Sequence, residues 1–133
     1  MGKQESKKLE LDVREIEDQR KELFLKANLF LDACRQGRNL DEMKTMMNQL
    51  EKQIDSHFKV EERLFKKYAY PDYVSHLKQH RKFIKDFDDL KKVFKKEGST
   101  LRFSMLASYV ASDWFFNHVS KVDKKFVTFL MKK

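Results

Sequence analysis

Turn-forming residues are scarce, with 3 Gly and 1 Pro in 133 residues. That excludes a fold built on many tight turns and points to long helices with short connections. Cysteine is nearly absent. The one thiol, Cys34, excludes an intramolecular disulfide, and it is too few for a structural thiolate zinc site or a cysteine-bound iron–sulfur cluster. It sits on an apolar helical face and reads as a small buried hydrophobe. No apolar run approaches the ~18 residues of a membrane helix, and the opening MGKQESKKLE has none of the apolar stretch of a secretory leader. The expectation is a cytoplasmic protein with no membrane partner. Acidic residues are the minority, 21 against 29 Lys and Arg, for a formal charge of +8. The basic residues are spread over polar faces, bunching only at KKVFKK and the terminal KK, and no nucleic-acid motif accompanies them. A solvated basic surface is expected, without a nucleic-acid partner.

What is present is 41% hydrophobic residues, including 12 Phe, which is enough for a packed core. Residues 1–8 read as a flexible polar tail and 9–133 as a single domain, opening with LELDV as a short packed arm. The first helix is predicted from Glu17 to Arg35, stopped by Gly37. Its apolar stripe is Ile16, Arg20, Leu23, Ala27, Phe30, Cys34. Asn39 can cap the second helix, with Glu42 completing a capping-box-like pattern. The second stripe is Met43, Met47, Leu50, Ile54, His57, Glu61, Leu64, Tyr68, with the methionines as core filler. AYPDY breaks the chain, and Pro71 suits the first turn of a third helix. That helix carries Tyr73, His76, His80, Phe83, Phe87, Leu90, Phe94. Gly98 ends it and Ser99 caps a fourth, carrying Phe103, Leu106, Val110, Trp114, His118, Val122, Phe126, Leu130. The predicted fold class is all-α, an antiparallel up-down-up-down four-helix bundle.

Every histidine in the chain, His57, His76, His80 and His118, falls on a core stripe, with Glu61 in step. In an antiparallel bundle the start of the first helix, the end of the second, the start of the third and the end of the fourth share one end. The polar residues therefore form one layer. Burying such a layer costs several kcal/mol unless the groups pair or bind a metal. His57 and Glu61 are four apart, as are His76 and His80, so each pair presents two ligands on one face. Asp123 lies five after His118, about 140° round an ideal helix, and needs a wider local turn or a sideways reach to join. Imidazole with carboxylate suits iron, with manganese or zinc as alternatives.

Three segments then carry a resemblance: HFKVEERLF (57–65), YPDYVSHLKQH (70–80) and DWFFNHVSKVD (113–123). In residue type, spacing and order they closely resemble the bacterial hemerythrins. LDVREIEDQRKELFLKAN (11–28) is similar to the family's first helix, including Ile16, Gln19, Leu23, Phe24 and Asn28. The resemblance implies a left-handed four-helix bundle holding two irons. It implies His76, His80 and His118 on one iron, and Glu61 and Asp123 bridging to a second that His57 also holds. It implies an oxygen- and metal-binding protein, with an enzymatic role left open. Dioxygen or a similar diatomic would enter a dry pocket walled by Leu23, Phe58, Trp114 and Val119, and oxygen transport is the associated role. Two rivals stand beside it: a peroxide- or nitric-oxide-reducing iron enzyme, and a metal- or redox-sensing module. The sequence names no protein partner. Tyr70 and Tyr73 lie close enough in sequence to reach the layer.

One position departs. The family has a histidine directly after the glutamine that is Gln19 here, and this chain has Arg20. A guanidinium is not a metal ligand, and its charge repels a nearby dication. The second iron is therefore in doubt. Arg20 can fill the second-metal space and pair with Glu61 and Asp123. It can turn outward, with Glu17 or Glu62 supplying a carboxylate. Or the layer can be metal-free.

Overall fold

The computed structural model describes residues 2–133, and residues 115–117 by their backbone only. α1 spans Lys3–Gln36, α2 Leu40–Lys67 and α3 Tyr73–Glu97. The fourth rod is continuous but changes character: α4 at Leu101–Ser112, a π-helical segment at Asp113–Asp123, and α5 at Lys124–Met131. Among the described residues there is no strand, and no helix is long and apolar enough to cross a membrane.

The punctuation follows the sequence closely. Gly37 takes the left-handed conformation, φ 64°, and its N–H and that of Arg38 bond back to the last turn of α1. Asn39 Oδ1 accepts from the Glu42 N–H at 2.9 Å, while Asn39 Nδ2 donates to the Glu42 carboxylate at 3.2 Å. Three boundaries differ from the expected ones. The first helix begins at Lys3, not Glu17, so LELDV is helical and not a separate arm. Nothing between residues 3 and 36 breaks a helix, and i,i+4 pairing such as Glu10–Arg14 supports its exposed early turns. Pro71 lies in the turn before α3, whose first residue is Tyr73. Thr100, not Ser99, caps α4, its hydroxyl accepting from the Phe103 N–H at 3.2 Å.

Core composition gives the chain directions. One apolar cluster joins Phe30, Ala33 and Cys34 late in α1 with Met43 and Met47 early in α2, Phe87 and Leu90 late in α3, and Phe103 early in α4. A smaller one joins Ile16, Leu64, Phe65, Tyr70, Phe126 and Leu130 at the opposite end. Neighbouring rods therefore run antiparallel, and burying these side chains is the main term holding them together. Burial pushes the Cys34 thiol up to about 11, in keeping with an inert core residue.

Asp12 fastens the long α1 to the end of α2. It is almost buried and accepts from Lys67 Nζ at 2.8 Å and Tyr68 Oη at 2.6 Å. Asp12→Ala leaves the tyrosine hydroxyl and the ammonium without that acceptor. Its expected cost is about 1–3 kcal/mol, read as a lowered denaturation midpoint in urea.

Candidate metal centre

Between the two apolar clusters lies one polar layer. His57, Glu61, His76, His80, His118 and Asp123 are all at most 3% exposed. α2 delivers His57 and Glu61 one turn apart, and α3 delivers His76 and His80 likewise. The fourth rod resolves the awkward five-residue spacing. Its π-helical segment begins at Asp113 and ends at Asp123, and the wider i→i+5 winding brings His118 and Asp123 onto one side. His118 Nε2 and Asp123 Oδ1 are 2.8 Å apart.

Five residues, Glu61, His76, His80, His118 and Asp123, each place one donor atom within 4.8 Å of all the others. His76 Nε2 lies 3.1 Å from His118 Nε2 and 3.0 Å from Asp123 Oδ1. His80 Nε2 lies 3.0 Å from Glu61 Oε1, and His76 Nε2 lies 3.4 Å from that same oxygen. Bonds of about 2.1 Å to one ion would put neighbouring octahedral donors about 3.0 Å apart, so the separations suit a shared cation. His57 stands just outside this group. Its Nε2 meets Asp123 Oδ2 at 2.8 Å and Glu61 Oε1 at 3.3 Å.

The outer contacts select the metal-ready tautomers. His57 Nδ1 faces Gln19 Oε1 at 3.0 Å, and His118 Nδ1 faces Gln79 Oε1 at 3.3 Å. In the neutral imidazole each amide oxygen accepts from Nδ1–H, and Nε2 then carries the lone pair that faces the layer. Bare nitrogens packed against carboxylates need a positive centre. Glu61 Oε2 is buried with no partner among the described residues, a further unspent acceptor. The donor set and its unspent atoms fit a metal ion of the kind nitrogen and oxygen ligands hold.

Electrostatics in the metal-free layer point the same way. Burial and the neighbouring Asp123 charge push Glu61 up to about 8. Burial would raise Asp123 too, but His118, His57 and His76 overcome it and hold that carboxyl well below its usual range. Burial, with the adjacent imidazoles, takes His80 down to about 2. Burial opposes the charged form of His57, yet Glu61 and Asp123 raise it overall.

Aromatic rings fix the imidazoles. Phe58 stacks on His80 with centroids 3.8 Å apart, and Trp114 stacks on His118 at 4.0 Å. Phe65 lies against His76 at 4.6 Å. The expected wall residues Leu23, Phe58, Trp114 and Val119 are all buried in the larger apolar cluster beside the layer. Phe65 is a contact the sequence reading missed; its place one turn after Glu61 was the available signal. Tyr70 is buried with its ring 6.5 Å from His76, whereas Tyr73 is about half exposed and takes no part in the core.

Arg20 is held in a largely buried position, its side chain only 17% exposed. Its Nη1 donates to Glu17 Oε1 at 2.7 Å and its Nη2 to the Val119 carbonyl at 2.9 Å. The carboxylate paired with it is Glu17 of the preceding turn, not Glu61, Asp123 or Glu62. The guanidinium is thereby tied to the backbone of the segment that carries His118 and Asp123.

Comparison with known proteins follows the same residues. The profile of the hemerythrin HHE cation binding domain matches residues 11–130. A bacteriohemerythrin of Methylococcus capsulatus is 31% identical over 108 residues, 81% of this chain and 80% of that protein. Hemerythrin-like proteins of Naegleria gruberi and Naegleria fowleri are each 31% identical over 112 residues, 84% of this chain and 80% of theirs. No solved structure matches the chain.

Proposed function

The chain belongs to the hemerythrin family, and from that premise we propose that it is a cytoplasmic iron-binding protein that takes up dioxygen or a similar diatomic reversibly. The observation that carries the reading is the convergence of three imidazole Nε2 atoms and two carboxylates in one buried layer. His76, His80 and His118 would hold an iron, with Glu61 and Asp123 completing the set. Iron, when bound, supplies the affinity for a diatomic ligand.

The chain's own residues supply the rest. Gln19 and Gln79 hold two imidazoles by Nδ1, so Nε2 stays free to ligate. Phe58 and Trp114 keep His80 and His118 in plane and, with Leu23 and Val119, keep bulk water out. A groove of about 200 Å³ between α2 and α3 is lined by Ile54, Phe58, Phe83, Ile84 and Phe87 together with the charged Glu51, Lys52, Asp55 and Asp88. Its apolar side lies against Phe58, whose ring stacks on His80, and the acidic Glu51, Asp55 and Asp88 disfavour a hydrated anion there.

The test is optical. Protein loaded with ferrous iron under anaerobic conditions is exposed to dioxygen, and separately to nitric oxide. A new absorption band that disappears when the gas is removed supports the reading. Sustained consumption of peroxide or nitric oxide would mark an enzyme instead, and no spectral response to either gas would refute diatomic binding.

A further inference from the structure

We infer that this chain holds one metal ion and not two, because the Arg20 guanidinium is a fixed cation beside the position a second ion would take. The inference rests on the metal centre proposed above and concerns its stoichiometry.

The two halves of the layer are unequally equipped. The His76, His80, His118, Glu61 and Asp123 set gathers five donor atoms within 4.8 Å of one another. The other half offers His57 Nε2 and Asp123 Oδ2, already 2.8 Å apart in mutual contact, and the Glu61 oxygen nearest His57, Oε1 at 3.3 Å, is the one that also meets His80 at 3.0 Å. The position next to Gln19, whose side chain supports His57, is where α1 reaches this half, and it carries Arg20. Guanidinium has five N–H donors and no lone pair to give a metal. Its Nε–H is buried and finds no partner among the described residues, so the spare capacity that α1 brings here is a donor, the wrong polarity for a cation.

The side chain is also anchored. It bonds to Glu17 and to the Val119 carbonyl, next in sequence to His118, and only 17% of it is exposed. A second ion could not displace it without breaking both contacts.

Charge favours one ion. Two carboxylates, Glu61 and Asp123, balance one divalent ion, and Glu17 balances Arg20. The layer is then neutral. A second divalent ion would stand beside that permanent positive charge in a water-excluded layer. With histidine at position 20 instead, the added residue would be neutral and would contribute a further donor.

The test is metal content per folded chain after iron loading under reducing conditions, by elemental analysis and native mass spectrometry, on the natural chain and on Arg20→His. One ion per natural chain, rising toward two in Arg20→His, is the expected result. In air, the variant should also gain the near-ultraviolet absorption of an oxo-bridged pair, which the natural chain should lack. Two ions in the natural chain would overturn this inference while leaving the proposed metal centre intact. No ion in a folded natural chain would overturn both. One ion in each protein would show that Arg20 does not set the count, and would overturn its role. The count on the natural chain stands by itself if the variant does not fold.

Discussion

Stripping metal from the loaded protein should lower its Tm by roughly 12–20 °C at pH 7.5. An ion that binds only the folded state stabilises it by about 4 kcal/mol when its free concentration is a thousand times Kd. For a chain of this size each kcal/mol shifts Tm by roughly 3–5 °C. The origin of the effect is specific. Without the ion, bare imidazole nitrogens and two carboxylates are compressed to separations near 3 Å in a layer that water does not reach. The sign of its pH dependence follows from Glu61. Its carboxyl is pushed up to about 8 in the metal-free fold, against an ordinary value of 4.5. A raised carboxyl contributes stability that is fully present below about pH 4.5 and is lost as pH rises through about 8. The metal-free protein therefore loses this contribution across that interval. The loaded protein, whose ligands are deprotonated, gains instead. The difference in Tm between the two forms should widen from pH 5 to pH 8. Scanning calorimetry with and without a chelator reads it directly, and a gap that is constant or narrows with rising pH would contradict the assignment of Glu61.

Asp123→Ala should have the largest effect of any single substitution in the layer. This one carboxylate meets His57 at 2.8 Å, His76 at 3.0 Å and His118 at 2.8 Å. Removing it strands three imidazoles in a dry interior, and breaking a buried polar network from one side typically costs 3–5 kcal/mol. It also deletes one of the five convergent donors, so iron should not be retained through gel filtration. Asp123→Asn separates the two effects. It keeps the volume and one acceptor oxygen while removing the charge, so much of the metal-free stability should survive while metal retention is still lost. Denaturant melts report the first quantity and bound iron per chain the second. An Asp123→Ala protein with unaltered iron content would remove this residue from the ligand set.

Most of this was legible in the sequence because helical periodicity and chain direction are both written there. Four stripes with histidine or Arg20 at matching depths dictate a single layer, and the layer is where they meet. What periodicity did not supply was the state of the fourth rod. An ideal helix puts Asp123 about 140° from His118, and nothing in the residue types of DWFFNHVSKVD marks a wider winding. The polar layer itself supplies the reason for it. The start of α1 was misplaced for a different reason: its first turns are exposed, so they carry no apolar stripe to read. The direction taken by Arg20 was open because Glu17, Glu61, Glu62 and Asp123 are all carboxylates within reach of that long side chain, and packing in three dimensions decides among them.

The π-helical segment sets the phase of everything after it. Phe126, Val127 and Leu130 of α5 fill the smaller apolar cluster only because the winding between Asp113 and Asp123 has delivered them there. Rewinding that segment as an ordinary helix at its present length would carry Asp123 to about 140° from His118 and rotate the downstream chain with it. Asp123 and the last turn of the core would swing away together. The spacing that makes the chemistry possible and the spacing that closes the end of the bundle are thus a single rotational setting, and evolution cannot retune one without the other.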